Sequence, residues 1–131
     1  MKILAASPHE VERIGVQSVL HALLVDGVIV LHAASGVEMV EQIDRHSDIQ
    51  LVIVDVNIPD GVHVKRLAEL AMSASSLPVI ALDGGDGNLW LYASKINLAH
   101  AIEKASPLAV FADAVLGVLP NRMHRHPRKC G

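Results

Sequence analysis

Five short apolar runs alternate with stretches of helical spacing, and this alternation limits the folds that the chain can adopt. Short continuous apolar runs are typical of strands buried on both faces. The five predicted strands are KILAA (2–6), VIVLHA (28–33), LVIVDV (51–56), PVIAL (78–82) and AHAI (99–102). A helix after each strand gives a parallel sheet with helices on both faces. Because crossovers are right-handed, we predict an α/β fold: a doubly wound, flavodoxin-like (βα)5 domain with a five-stranded parallel sheet of order 2-1-3-4-5.

The apolar residues between the strands recur at helical spacing and predict the buried face of each helix. These residues are Val11, Gly15, Val19, Ala22 and Leu23 in the first helix, Val37, Val40 and Ile43 in the second, Val64, Leu67, Leu70 and Ala71 in the third, Leu89, Trp90, Ala93 and Ile96 in the fourth (roughly 88–96), and Leu108, Phe111, Ala112, Val115 and Leu119 in the fifth. Ser35 is the predicted N-cap of the second helix. Ser106 is the predicted N-cap of the last helix, with Pro107 at its first position.

Composition excludes several classes of protein. At 131 residues the chain predicts one domain, and 51% apolar residues argue against disorder. Only 2% of residues are aromatic and the net charge is −3, which argues against direct binding of nucleic acid by the domain. The single cysteine, Cys130, excludes a disulfide framework. Because we find neither a signal peptide nor a membrane-spanning run, we expect a cytoplasmic protein that does not contact a membrane.

The chain changes character after Pro120. The segment NRMHRHPRKCG carries four Lys or Arg residues and no acid. Such a charge run is typical of a solvated tail or of the start of a linker. We therefore predict a domain over residues 1–119 and a basic tail or linker over 120–131.

Asp55 ends the third predicted strand, where a doubly wound sheet binds its ligands. By its motifs the chain resembles the receiver domain of bacterial two-component response regulators over residues 2–119. The segment VIVDVNIP places Pro59 four residues after this acid. ASGVEMV (34–40) is similar to the family's opening of the second helix, and AHAIEKASP (99–107) to its fifth strand, lysine and Ser-Pro cap.

The resemblance implies a phosphorylation site, but several of its residues differ here. In the family an acid pair after the first strand holds Mg²⁺ with the acceptor aspartate. Ser7 and Pro8 stand at that pair, Asp83 stands where a Thr or Ser binds the phosphoryl group, and Ala101 stands where an aromatic residue responds. Lys104 keeps the position of the lysine that pairs with the phosphate. His63, a further difference, falls where the family usually has a glycine.

These departures favour a degenerate receiver, or pseudo-receiver. We expect Asp55 to form a salt bridge with Lys104 and to stay unphosphorylated, with Ser7 and Asp83 as neighbours. In one alternative, Asp55 and Asp83 bind a cation such as Mg²⁺ and phosphorylation persists; Asp83 could instead cap the glycine-rich turn. In another alternative, the loop Gly84–Gly87 senses a small molecule. The favoured interpretation predicts no metal, no cofactor and no enzymatic activity.

Trp90 and Tyr92, both on the predicted fourth helix, are candidate contact residues. If they face outward they anchor a partner or a second copy, and if they face inward they belong to the core. The family uses its fourth helix, fifth strand and fifth helix for partners and dimers, and Ala101 lies on this face. We therefore expect a signal-transduction module that acts through a protein partner or a homodimer. A fused DNA-binding output domain is a further partner that the resemblance implies.

Overall fold

A parallel β-sheet forms the centre of the protein. The structure is a computed structural model and describes residues 1–25, 27–71, 77–85, 89, 92, 96 and 98–125. Within these residues the strands are β1 (Lys2–Ala6), β2 (Ile29–Ala33), β3 (Ile49–Asp55), β4 (Val79–Asp83) and β5 (Leu98–Glu103). All neighbouring strands are parallel and their order is β2-β1-β3-β4-β5. The predicted fold class and strand order are confirmed.

The central position of β3 explains why its sequence is apolar almost throughout. It pairs with β1 on one side and β4 on the other, and every residue except Gln50 is buried. Asp55 is in register with Leu82 of β4, and Asp83 is in register with Glu103 of β5. The carboxyl ends of β3 and β4, where Asp55 and Asp83 lie, therefore meet at the same edge of the sheet.

The described helices are α1 (Glu10–Leu23), α2 (Gly36–Arg45), α3 (Val62–Ala71) and α4 (Leu108–Val118). The last of these, α4, is the fifth helix of the sequence prediction. Most of the predicted fourth helix, including Trp90 and Ala93, lies outside the described residues. None of the described helices combines the length and apolar character needed to cross a membrane.

The predicted buried face of α1 is wrong in part. Val11 is 84% exposed and Gly15 and Ala22 are also exposed, whereas Leu20 is fully buried. Val19 and Leu23 do pack against the core, as predicted. The helix has an apolar residue on more than one side, so spacing alone did not select the stripe that faces the sheet.

The faces of α2 and α3 are closer to prediction. Ser35 is the N-cap of α2 and accepts a hydrogen bond from the Glu38 N–H at 3.2 Å. Ile43 is buried as predicted. Val37 is 47% exposed, contrary to the prediction, and Met39 is fully buried instead. In α3 Leu67 is buried and Val64 and Leu70 pack against the same cluster as predicted, and His63 is buried with them.

The start of α4 differs from the prediction by one residue. Pro107, not Ser106, occupies the N-cap position, and Leu108 is the first helical residue. Leu108 is 64% exposed, contrary to the prediction, whereas Phe111 and Val115 are buried as predicted.

The core lies on both faces of the sheet. One cluster joins the sheet to α2 and α3 and includes Tyr92, and the other joins it to α1 and α4. The chain after α4 returns along the second cluster: the Arg125 N–H donates to Leu23 O at 2.7 Å, and the Val25 N–H donates to Met123 O at 3.0 Å. The segment Asn121–Arg125 is thus bound to the end of α1.

Candidate functional site

Asp55 and Lys104 meet at the carboxyl edge of the sheet. Lys104 Nζ donates to Asp55 Oδ2 at 2.5 Å, and the Asn57 N–H donates to Asp55 Oδ1 at 2.9 Å. Asp55 is 0% exposed. Both of its oxygens therefore have donors, and the predicted salt bridge with Lys104 is present.

Glu12 is a second carboxylate at this site, which the sequence analysis missed. Its Oε2 lies 3.1 Å from Lys104 Nζ, so one ammonium group joins α1 to the end of β3. Glu12 Oε1 is buried and accepts no hydrogen bond from the residues that the structure describes. The available signal was spacing: Glu12 stands four and seven residues before Val16 and Val19, on the stripe of α1 that faces the core.

The ion pair changes the pKa of both partners. Burial raises the pKa of the Asp55 carboxyl, but hydrogen bonds from Lys104 and the Asn57 N–H outweigh burial and hold this pKa below its usual value. Burial lowers the pKa of the Lys104 ammonium, but its bonds to Asp55 and Glu12 prevail and raise it. We call Glu12, Asp55 and Lys104 the ion cluster. It holds two acids and one base.

Ser7 lies nearby but is committed to its own turn. Its hydroxyl accepts a hydrogen bond from the His9 N–H at 3.0 Å, and its carbonyl accepts one from Arg13 Nη1 at 2.7 Å. The residue is 2% exposed. At the position that resembles the family's acid pair, the chain therefore has a turn whose polar groups are used locally.

The Asp83 side chain caps the following turn. Asp83 Oδ1 accepts from the Gly85 N–H at 3.0 Å, and Gly85 has φ +87, a conformation that favours glycine. The Asp83 carbonyl accepts from the Lys104 N–H at 2.8 Å. Asp83 thus places Lys104 through its backbone. Of the predicted Gly84–Gly87 loop, Asp86 and Gly87 lie outside the described residues.

Tyr92 belongs to the core and not to an exposed contact surface. It is 1% exposed, and its hydroxyl lies 2.5 Å from His63 Nε2. Burial, together with the charge of Asp55, raises the pKa of Tyr92. Its predicted role as an exposed interface anchor is therefore wrong, because the buried imidazole of His63 supplies a partner inside. Trp90 lies outside the described residues, and Ala101 is exposed on β5.

The carboxylates of this edge do not fit a divalent cation. Hard cations need several oxygen ligands. Lys104 already occupies the space between Asp55 and Glu12, and Asp83 is bonded to its own turn. Among the described residues no cluster of three or more His, Cys, Asp or Glu side chains could hold a metal ion.

The fold is shared with receiver domains of known structure. No family model and no curated protein matches the sequence. A response regulator receiver domain from Clostridium thermocellum matches with TM-score 0.72 and 24% identity over 89% of this chain and 92% of that one. The response regulatory domain of mrkE from Klebsiella pneumoniae matches with TM-score 0.73 and 9% identity over 90% and 94%.

RcsB from Salmonella enterica serovar Typhimurium, solved bound to promoter rprA in the presence of phosphomimetic BeF3−, matches with TM-score 0.71 and 17% identity over 90% of this chain. This chain spans 61% of that protein's length. At such identities the likeness shows the fold, a five-stranded parallel sheet of the CheY-like type.

Proposed function

We propose that this chain is a receiver-like signalling module of a two-component response regulator and that its output does not depend on phosphorylation of Asp55. The observation that carries the proposal is the ion cluster. Lys104 pairs with Asp55 at 2.5 Å and with Glu12 at 3.1 Å. The acid that the resemblance marks as the acceptor is the buried partner of an ion pair.

Access to Asp55 argues against phosphoryl transfer. A donor must reach a free carboxylate oxygen for in-line attack. Asp55 is 0% exposed and both oxygens accept hydrogen bonds. Attack would first require Lys104 to leave, which would deprive the buried Asp55 carboxylate of its cation.

Charge argues in the same direction. A phosphoryl group on Asp55 would replace the single negative charge of the carboxylate with about 1.5 to 2 negative charges beside the Glu12 carboxylate. Each unit-charge repulsion at about 4 Å costs roughly 1 to 4 kcal/mol between bulk water and an intermediate dielectric. Because the Lys104 ammonium already pairs with two carboxylates, it cannot neutralise this additional charge.

The proposal includes no metal, no cofactor and no enzymatic step.

Output through protein contacts is supported by the exposed edge of the sheet. Ala99, His100 and Ala101 of β5 are exposed, and the first turn of α4 carries exposed Leu108 and Val110. We propose that β5, α4 and the intervening region contact a protein partner or a second copy in the cytoplasm. A DNA-binding output domain joined after the basic segment 120–131 would make the module part of a transcription regulator.

The test is phosphorylation by a small donor. The protein is incubated with acetyl phosphate and Mg²⁺, and its intact mass is recorded over time. We expect no phosphate adduct, because Lys104 and the Asn57 N–H occupy both oxygens of Asp55.

A receiver domain that does accept phosphate, treated in parallel, shows that the reagent is active. The matched variant is Asp55→Asn. A stoichiometric adduct on the wild-type chain that disappears in this variant would establish the phospho-receiver alternative and end the proposal.

A further inference from the structure

A buried histidine lies where α3 begins, and its ring bonds a second buried side chain. His63 is 1% exposed, and its Nε2 lies 2.5 Å from the Tyr92 hydroxyl. The centroids of the two rings are 5.6 Å apart, and Tyr92 belongs to the core cluster on the α2 and α3 side of the sheet. The bond therefore ties the start of α3 to the chain that precedes β5.

The other ring nitrogen of His63 makes no such bond. Nδ1 is buried and has no hydrogen-bond partner among the residues that the structure describes. It lies at the start of α2, where a Cβ on Gly36 would overlap both Nδ1 and Asp60 Oδ1. The glycine thus leaves the space that the imidazole fills, with an acid beside it. A buried polar atom without a partner costs free energy, so the presence of a histidine here needs an explanation.

The surroundings favour the neutral imidazole in one tautomer. The Asp60 carboxylate attracts a proton on Nδ1, which leaves Nε2 to accept a hydrogen bond from the Tyr92 hydroxyl. Burial lowers the pKa of His63, and the charge of Asp60 opposes this effect without reversing it. On the tyrosine side, burial and then the charge of Asp55 raise the pKa of Tyr92. The α2 helix presents only Gly36 to the ring.

We propose that His63 is a proton sensor, and that protonation of its imidazole releases Tyr92 from the core ahead of β5. The proton binds at Nε2, so the nitrogen that accepted the tyrosine hydroxyl becomes a donor. The hydroxyl must then turn its own proton away from its acceptor, and a positive charge is buried without a hydrogen bond to Asp60. Both penalties are relieved when the two side chains separate and reach water.

The chain that Tyr92 holds leads into the surface proposed for output. The Tyr92 carbonyl accepts a hydrogen bond from the Ile96 N–H at 2.8 Å, and Ile96 is itself buried. β5 begins two residues later at Leu98. This inference rests on the proposed role in protein contacts and names pH as the regulator of that surface.

Hydrogen exchange of the Ile96 amide tests the release. Its rate is measured between about pH 7.5 and pH 5 and divided into the intrinsic rate to give a protection factor. We expect this factor to fall as pH drops below about 6.5, by up to about tenfold per pH unit, because the released histidine binds the proton more tightly.

The Val52 amide of β3, which donates to the Pro78 carbonyl at 3.0 Å, reports global unfolding. Ile96 should be less protected than Val52 at every pH, because local release costs less free energy than unfolding. A protection factor at Ile96 that does not change with pH overturns the inference. Equal factors at the two amides also overturn it, because Ile96 would then exchange only when the whole domain unfolds.

A second measurement follows the tyrosine itself. Tyr92 is the chain's only tyrosine, so isotopic labelling of tyrosine rings gives an NMR signal from this residue alone. The signal should move toward that of an exposed tyrosine as pH falls through the same range. A signal that keeps its position down to pH 5 overturns the inference, and this measurement needs no variant.

The variant that removes the sensor is His63→Gln, which keeps a side chain able to bond Tyr92 but does not titrate. It should abolish the pH dependence of Ile96 exchange, and persistence of that dependence in the folded variant overturns the inference. His32→Gln is the matched control. Burial also lowers the pKa of His32, which bonds Gln17 at 2.7 Å, but it lies on β2 at the opposite edge of the sheet from β5.

The control should keep the full pH dependence, and its loss in the control would overturn the assignment to His63. Circular dichroism shows whether each variant is folded, and the wild-type measurements decide the matter if His63→Gln is not. None of these results bears on the acetyl phosphate experiment, which tests Asp55 separately.

Discussion

At the scale of single residues, one lysine determines the state of the candidate site. Lys104 bonds Asp55, which is fully buried, and Glu12, which is partly exposed. A buried carboxylate is stable only when paired, so Lys104 supplies the positive charge that a metal ion supplies in other carboxylate sites. With two acids and one base, the ion cluster depends on the ionisation of all three groups.

Replacing Asp55 should destabilise the protein in a pH-dependent way. Because the folded pKa of Asp55 is depressed, its charge stabilises the folded protein above the unfolded pKa of about 3.9. This stabilisation is lost as pH falls through the folded pKa. Because the folded pKa of Lys104 is raised, its charge stabilises the folded protein below the unfolded pKa of about 10.4. This stabilisation is lost as pH rises through the folded pKa. We expect Asp55→Asn to lower the free energy of unfolding by about 1 to 3 kcal/mol at pH 7. Urea titrations below pH 4 should show a shrinking difference.

The control for this prediction is the exposed pair of Lys2 and Asp48. Their charged atoms lie 3.1 Å apart, but the Asp48 side chain is 62% exposed. Solvent screens such pairs, so Asp48→Asn should change stability much less than Asp55→Asn. Equal effects of the two substitutions would show that burial adds nothing to the Asp55 pair.

Sequence predicted this pair and missed its third member. Asp55 could be located because it ends a predicted strand, and Lys104 because the resemblance implies a lysine after the fifth strand. Glu12 was missed although it shares a helical face with Val16 and Val19, because the predicted buried face of α1 was turned toward Val11 and Gly15. The position of Asp83 at a strand end was also predictable. Whether its carboxylate binds a cation or the Gly85 N–H depends on the conformation of the following turn, which the sequence pattern does not give.

At the scale of elements, strands were easier to predict than helix faces. A strand buried on both faces leaves no choice of side, whereas α1 and α2 carry apolar residues on two sides and the sheet covers only one.

The contact between α2 and the turn after β3 could not be predicted from residue spacing. The Gly36 N–H donates to the Pro59 carbonyl at 3.0 Å, and Asp60, with φ +53, holds the Val62 N–H at 3.3 Å.

This close contact predicts opposite effects for two glycines. A Cβ at Gly36 would overlap the side chains of Asp60 and His63, and His63 is buried and bonded to Tyr92. Gly36→Ala should therefore cost about 1 to 3 kcal/mol of unfolding free energy despite its better helix propensity. Gly117→Ala is the control: Gly117 lies in α4 with open space around it and should gain up to about 1 kcal/mol. Chemical unfolding of both variants decides the matter, and a stabilised Gly36→Ala would disprove the close contact.

At the scale of the whole molecule, the chain closes on itself after α4. Residues 24 and 124 form an antiparallel bridge, and the Arg125 side chain bonds the Leu24 carbonyl at 3.1 Å. Met123 packs against the cluster between the sheet, α1 and α4. The basic composition of this segment indicated solvent exposure. It could not indicate these contacts, because most of them are made by backbone groups, which are the same in nearly every residue.

Removal of this segment should loosen the end of α1. A chain ending at Pro120 loses the acceptor of the Val25 N–H, the donor to Leu23 O and the packing of Met123. At about 0.5 to 1.5 kcal/mol for each hydrogen bond, we expect a loss of roughly 1 to 3 kcal/mol in unfolding free energy. Hydrogen exchange of the Val25 amide should become faster. A chain ending at Arg125 keeps these bonds and should behave as the full chain does. If the Val25 amide exchanges at the wild-type rate in both truncated chains, the segment does not stabilise the end of α1.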